Sequence, residues 1–493
     1  MDDTQERVRR GLSKSRIAAF EQCPKRLWLS IHRRELAQQD ESASARFAVG
    51  HEVGAAACAQ LPAGVMIRAE PDLRAALDAT RVLLANGHTA PIFEATLEHD
   101  GVLVQIDILE PGPDGSGGIA EVKSSTRAKD YHLGDLATQV WVAREAGLPI
   151  SVAAIRHIDS SFVLEREGDW NGVFADTVLL TDIEDIICKR AAVVADACRI
   201  LDEPEPAVIP GAQCNSPFGC EYTGYCSSAL PPGPEWPVTV LPAGGGKAWL
   251  ARGVTDLLDL EPSDLTSVIH QRVLEATRSG IPYHDRDGAR AVIGAWSFPR
   301  TWLDFETIGF ALPRWVGTRP YQQVPFQFSA HIEQADGTVT HAEYLSLDGS
   351  DPRRRCAEAL LELPHEGAVI AYNASFEKGR LRELAEAFPD LAGQLLDIAD
   401  RTVDLLPVTR AHWYHRDQRG SWSIKAVLPT IAPELDYGSL DVKDGMQAQA
   451  VYLEAIAPGT TPERRAEIDA GLRKYCARDT EAMMVLAARQ QML

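Results

Sequence analysis

At 493 residues the chain is longer than one hydrophobic core normally organises, so two or three domains are expected. Apolar content of 45% and charged content of 24% belong to a folded protein, and no stretch approaches the run of about 20 apolar residues that a membrane span needs. The start, with Asp2, Asp3 and Glu6, lacks the basic head of a leader, so a cytoplasmic location without membrane attachment is expected; the formal charge of -21 speaks against a broadly basic surface.

The first basic residues nevertheless cluster: Arg7, Arg9, Arg10, Lys14, Arg16, Lys25, Arg26, Arg33 and Arg34. Such a strip can steer a polyanion, or it can be an ordinary solvated helix face. Residues 12–36 read as short amphipathic helices, opened by a Ser13 cap and interrupted at Pro24. Residues 43–60 and 71–86 are Ala-rich and helical in pattern. From 91 to 125 the pattern turns to strands, and the Asp-Gly pair in HDGVLV marks a hairpin. Residues 133–146 and 178–201 return to helix.

Within those strands, VQIDIL places Asp107 in an apolar run, and IAEVKSS places Glu121 and Lys123 on the next strand. Positions i and i+2 share a strand face, so Glu121 and Lys123 point the same way, and a paired hairpin brings Asp107 beside them. Two carboxylates can hold Mg²⁺ or Mn²⁺, while the lysine can orient a water or stabilise charge at phosphorus. Gln139 on the following helix can complete the site. By itself E-V-K is an ordinary solvent-facing pair; the ordered series of Asp, E-x-K and Gln is more specific.

Nine cysteines without a secretory context favour metal ligation or burial over disulfides. Cys58, Cys188, Cys198 and Cys356 sit singly in helix-like surroundings and read as small buried hydrophobes. QCNSPFGCEYTGYC presents Cys214, Cys220 and Cys226 at regular spacing, and Cys23 in FEQCPKRLW offers a fourth thiolate. Zn²⁺ is one candidate for these four, although zinc ligands are usually paired more closely.

The stretch 229–245 is dense in Pro and Gly and reads as a linker, and residues 231–295 as a linker with a small helical connector. A second αβ pattern begins near 296. TWLDFETIG sets Asp304 and Glu306 at i and i+2 on an otherwise apolar strand, where two acids repel unless a cation compensates. Glu377 opens a helix in AYNASFEKGRL, and YCARD puts Tyr475 and Asp479 on one face of a late helix. Four acids from such elements can converge on two divalent ions, with Tyr475 placing or helping to deprotonate the attacking water. The alternative for Asp304 and Glu306 is a solvated edge pair, Cys476 reads as packing, and Lys425 is either a phosphate contact or a surface lysine.

Residues 12–228 resemble the PD-(D/E)XK nucleases, in detail the RecB-like and CRISPR-associated exonucleases, through Asp107, Glu121, Lys123 and Gln139. In those relatives one cysteine before the nuclease core and three after it hold a 4Fe–4S cluster, which the resemblance implies for Cys23, Cys214, Cys220 and Cys226. Their helical histidine is represented by His51, with Gly54 at the usual spacing, and Ala143 stands where an aromatic is common. The second half is similar to the DnaQ-like, RNase H-fold exonucleases of the tyrosine-bearing DEDD class, with Glu377 where Asp is usual and Lys474 where a His variant would differ. GTRPYQQVPFQFSAH and SWSIKAVLP also look like the C-terminal domain of uncharacterised bacterial proteins with the same two-part arrangement.

The expected architecture is therefore α/β: residues 1–230 a nuclease domain with helical cap and iron–sulfur staple, 231–295 the connector, 296–493 a DnaQ-like domain. The expected function is Mg²⁺- or Mn²⁺-dependent cleavage of nucleic acid, DNA before RNA, trimming single strands from a 3′ end in the second domain. The competing reading is a nucleic-acid-binding or assembly protein with one or both sites degenerate, which Gly54 and Glu377 favour.

Overall fold

The computed structural model describes residues 11–38, 41–435, 437–438 and 440–492, with side chains in the helix from Glu41 described from residue 46 onward. It is a mixed α/β protein that separates into two compact units. The first holds residues up to Pro231 together with Phe310–Tyr321; the second holds Pro232–Gly309 and Gln322–Leu493. Arg7, Arg9 and Arg10 of the basic run lie outside the described residues. Among the described residues no helix is long and apolar enough to cross a membrane.

The first unit runs α1 (Lys14–Gln22), α2 (Pro24–His32), α3 (Glu41–Ala59), α4 (Leu73–Ala85), β1 (Ile92–His99), β2 (Val102–Pro111), β3 (Gly117–Lys123), α5 (Asp130–Glu145), β4 (Ile150–Ile158), β5 (Phe174–Val178), α6 (Arg190–Asp202) and α7 (Thr223–Ser228). Ser13 caps α1 by accepting from Arg16 N, and Pro24 takes the first position of α2, where its missing N–H costs nothing. Strands β1 to β5 are neighbours in that order; Val65–Met66 extends the sheet beside β1, and Leu12–Ser13 pairs parallel with β2. Asp100 and Gly101 both have positive φ, 47° and 78°, which makes the β1–β2 link the two-residue turn that Asp-Gly favours. β2 and β3 continue antiparallel, and α5 then crosses over so that β4 returns parallel to β3. The strand period sends Val102, Val104 and Ile106 into the core and turns Asp107 to the other face. Residues 178–201 are not one helix: β5 ends at Val178, and a turn and a short helix, Glu184–Ile187, precede α6.

The second unit runs α8 (Val268–Ser279), α9 (Arg286–Gly294), β6 (Arg300–Ile308), β7 (Val324–Glu333), β8 (Val339–Leu345), α10 (Arg353–Leu360), β9 (Val369–Ala371), α11 (Ser375–Ala387), α12 (Ala392–Arg401), β10 (Thr402–Asp404), α13 (Leu405–His412), α14 (Ile424–Ile431), α15 (Gly445–Ile456) and α16 (Pro462–Met492). Its sheet has the order β8-β7-β6-β9-β10, with the first three antiparallel and β9 and β10 parallel to β6. On β6, Leu303 and Phe305 enter a core shared with α10, α11 and α12. Asp304 and Glu306 therefore face the opposite side, which α16 covers.

Residues 231–295 are not a free connector. The break falls at Pro231, inside the Pro/Gly segment, but the rest is built into the second unit. Tyr283–His284 pairs antiparallel with Trp413–Tyr414, His284 Nε2 lies 2.8 Å from Gln490 O, and α9 packs on α13 and α16. The segment that signalled a linker is closely packed: a Cβ on Gly245 would run into the His270 ring, and Gly420, at φ +77°, lies so near Val240 that a Cβ there would run into the Val240 carbonyl.

Gly420→Ala should therefore cost at least about 2 kcal/mol, through positive φ and the clash together. Gly379→Ala, in the interior of α11 with open space around it, should instead stabilise by about 0.5–1 kcal/mol. Thermal or urea unfolding of both variants checks the pair; equal effects would contradict this packing.

Candidate functional site

In the second unit the polar side chains gather around one cavity of about 270 Å³. Its lining includes Asp304, Glu306, Tyr372, Asn373, Glu377, Lys425, Tyr475 and Asp479. β9 pairs with β6 only at Thr301 and Trp302, so Asp304 and Glu306 lie past its end, at the carboxyl ends of the parallel strands. That is where open α/β sheets usually place their sites. Glu377 comes from the first turn of α11, just after Asn373 at φ +72°, whose N–H donates to Asp404. α16 brings Tyr475 and Asp479 one turn apart.

Glu306, Glu377 and Asp479 are buried, Asp304 is half-buried, and all four line the same cavity. Burial first, then Asp479, Glu306 and Glu377, push the Asp304 carboxyl well above its usual range. Burial and Asp479 push Glu306 up to about 8; burial and Asp404 push Glu377 up to about 8. Burial also raises Asp479, against the hydrogen bond that Tyr437 donates to its Oδ1 at 2.6 Å. Among the described residues, the buried Glu377 Oε2 has no hydrogen-bond partner. Among the described lining residues the one basic side chain is Lys425, whose Nζ donates to Tyr475 Oη at 3.0 Å and to Lys443 O at 2.9 Å. Lys425 is thus a site residue and not a surface lysine, and Tyr437 is a member that the sequence pattern did not reveal.

Ligand atoms of Asp304, Glu306 and Cys476 all lie within 4.8 Å of one another. Burial and the neighbouring acids keep the Cys476 thiol protonated, and its Sγ lies 3.8 Å from Asp304 O. A hard divalent cation prefers the oxygens, so Cys476 packs over the acids. The carboxylate set fits Mg²⁺ or Mn²⁺ by chemistry: hard oxygen donors, mutually repelling and only partly offset by Lys425, with one oxygen lacking a partner among the described residues.

The first unit handles its acids differently. Ala120 stands opposite Ile108, so the next step sets Glu121 across from Asp107, whose Oδ2 accepts from Val122 N at 2.7 Å. Glu121 is fully buried and accepts from Lys123 at 2.7 Å, from Gln139 Nε2 at 2.6 Å, and from Lys14 at 2.7 and 2.9 Å. Against burial, Lys14 and Lys123 hold the Glu121 carboxyl well below the usual range, whereas burial and Glu121 push Asp107 up to about 7. The pair shares its charge unequally, and Glu121 carries it. Lys123 also reaches Asp135 at 3.4 Å. Glu94, at φ +55° on β1, is raised by burial and sits in the field of Lys14, Glu121 and His51. Lys14, Asp135 and Glu94 are members that the strand motif did not disclose, while Asp107, Glu121, Lys123 and Gln139 do come together.

The remaining described members of the basic run are largely engaged. Lys25 pairs with Glu205, Arg26 with Glu221 and Arg33 with Glu35. Cys23, Cys214, Cys220 and Cys226 line one cavity between the α1–α2 turn and the loop before α7. Burial raises the Cys220 and Cys226 thiols, and each lies in the field of Cys23. Of the four single cysteines, Cys198 and Cys356 are buried, Cys58 is half-buried, and Cys188 is exposed because it sits at the open end of a short helix.

Residues 301–423 match the family model described as a domain of unknown function, DUF2779. The matched span includes Asp304, Glu306 and Glu377. The chain is similar to the uncharacterized protein UU173 of Ureaplasma parvum, 24% identical over 211 residues, covering 38% of this chain and 30% of the relative. It is also similar to the uncharacterized MG366 homolog of Mycoplasma pneumoniae, 26% identical over 211 residues, covering 38% and 31%. The chain thus spans about a third of the length of the curated relatives it matches.

Carboxyls whose pKa rises on folding hold protons that the unfolded chain has released, so they weaken the fold as pH climbs from 4.5 through about 8. In EDTA, melting temperature should fall between about pH 5 and about pH 8. Mn²⁺ should restore it. Glu306→Gln should raise the metal-free melting temperature at pH 8 and blunt the response to Mn²⁺. An unchanged melting temperature with an undiminished metal response would contradict the crowding described.

Proposed function

We propose that this chain is a metal-dependent nuclease that hydrolyses phosphodiester bonds of DNA, with the second unit trimming single strands from a 3′ end. The observation that carries the reading is the convergence of Asp304, Glu306, Glu377, Asp479 and Tyr475 on one cavity. The sheet order β8-β7-β6-β9-β10 supports an RNase H-like, DnaQ-like second domain. The β1–β2–β3 meander followed by α5 and parallel β4 supports a PD-(D/E)XK-like first domain.

Asp304, Glu306, Glu377 and Asp479 would hold Mg²⁺ or Mn²⁺, which when bound supply Lewis-acid stabilisation of charge at the phosphoryl oxygens. Around them the protein's own groups do the positioning. Tyr437 donates to Asp479 Oδ1 and so fixes that carboxyl at the cavity wall. Lys425 holds the Tyr475 hydroxyl, so that Tyr475 orients the attacking water and does not swing with solvent. Burial keeps the Tyr475 proton on at neutral pH, which makes the phenol a hydrogen-bonding guide and not a base.

The four cysteines would hold a 4Fe–4S cluster, with Zn²⁺ the alternative. All four line one cavity, and four thiolates leave no open position on either group, so the site would be structural. Its role would be to tie the loop at 214–226 to the α1–α2 turn, which Gln22 and Arg26 already join to that loop through Phe218 O and Glu221. One observation favours a second reading for the first unit alone: Lys14 occupies both Glu121 oxygens, as expected of a unit that binds nucleic acid without cutting it.

End-labelled DNA should be degraded with Mg²⁺ or Mn²⁺ and spared in EDTA. Asp304→Ala should lower the 3′-end rate on the order of 100-fold or more, and Asp107→Ala should remove whatever the first unit contributes. A double variant that cuts as well as the parent would overturn the nuclease reading. Anaerobically purified protein should be brown, with absorbance near the visible charge-transfer bands of a cluster that Cys214→Ser abolishes. Colourless protein carrying stoichiometric zinc would replace the cluster by the alternative.

A further inference from the structure

We infer that Lys14 is the resident counter-ion of the first unit's acidic site, and that a divalent cation must displace its ammonium to bind there. The inference rests on the reading above that Asp107 and Glu121 take such an ion.

The geometry is specific. Lys14 Nζ donates to both oxygens of Glu121, at 2.7 and 2.9 Å, although the residues are 107 positions apart. Glu121 is almost sealed, its side chain 2% exposed, and Lys123 and Gln139 donate to it as well. The Lys14 ammonium also lies in the field of Asp107 and Asp135 and acts on Glu94. It is therefore placed among the acids at this end of the sheet. A carboxylate lone pair cannot serve an ammonium at hydrogen-bond distance and a cation at about 2.1 Å at once, so the two occupants exclude each other.

The backbone under Lys14 is fixed while the side chain can leave. Leu12 and Ser13 pair with Val102 and Leu103, and Ser13 caps the helix that Lys14 begins. The Lys14 side chain keeps 21% of its surface exposed, unlike Glu121, and its four-carbon stem gives the ammonium a short route to water. After displacement, Lys123 and Gln139 still hold Glu121 in place. The acids would then be compensated by the ion, and the departing ammonium would return to water. The first site is thus closed to metal at low concentration and opens above a threshold that Lys14 sets.

The test uses the full-length chain carrying Asp304→Asn and Glu306→Gln, so that Mn²⁺ binding reports on the first unit. Binding is followed by calorimetry and by the loss of the free Mn²⁺ spin-resonance signal, with Asp107→Asn marking the component due to this site. Lys14→Met and Lys14→Gln should bind Mn²⁺ at least tenfold more tightly, and Lys14→Arg, which keeps the charge, should stay weak. If one neutral variant fails to fold, the other carries the comparison. Unchanged or weaker binding in folded neutral variants, with an Asp107-dependent component still present, overturns the inference and leaves the reading of the site standing. No Asp107-dependent binding in any variant overturns the inference together with that reading.

Discussion

Like charge pressed together under a helix is the constraint around which the second unit is organised. β6 is buried at every position but Asp304, which is half-buried, so its two acids have little access to water, and α16 closes over the face they occupy. The strand period decides this: sending Leu303 and Phe305 into one core leaves Asp304 and Glu306 no alternative to the other face. Glu377 and Asp479 then arrive from α11 and α16 and add to a repulsion that a purely structural design would avoid. Burying these groups without full compensation costs stability, and a fold tolerates such a cost where a ligand removes it.

The first unit solves the same problem with its own side chains. Glu121 is more deeply enclosed than Asp304, yet its carboxyl is held down because Lys14, Lys123 and Gln139 surround it. Asp107, lacking such donors beyond one backbone N–H, is pushed up. Two units of one chain therefore present different electrostatic states: in the first, lysines hold the central carboxyl charged; in the second, burial and neighbouring acids push the carboxyls up. That difference separates their expected behaviour towards metal more sharply than any comparison of motif residues does.

Much of this was legible along the chain. Asp100-Gly101 announced its hairpin because few other pairs accept two consecutive positive φ values, and Ser13 and Pro24 announced helix starts through capping and ring geometry. The acids declared themselves by standing in apolar strands at a two-residue interval. What stayed hidden depends on long-range approach: Lys14 reads as one of many basic residues until the fold carries it to Glu121, and Tyr437 has no local pattern that points to Asp479. Residues 231–295 misled for a related reason, since a segment rich in Pro and Gly packs closely, here against His270 and the Gly420 loop, as readily as it serves as a linker. The relatives add reach without chemistry: the matched domain covers β6 to the loop before α14, and its description names no activity.

The account stands or falls on positive charge entering the cavity beneath α16. Crystals of the full chain soaked in Mn²⁺ and measured for anomalous scattering would locate that charge directly. Difference peaks bounded by Asp304, Glu306, Glu377 and Asp479, lost on chelation, are the result the account requires. An empty cavity at saturating Mn²⁺, with the four carboxyl groups turned apart and hydrogen-bonded to water, would contradict it.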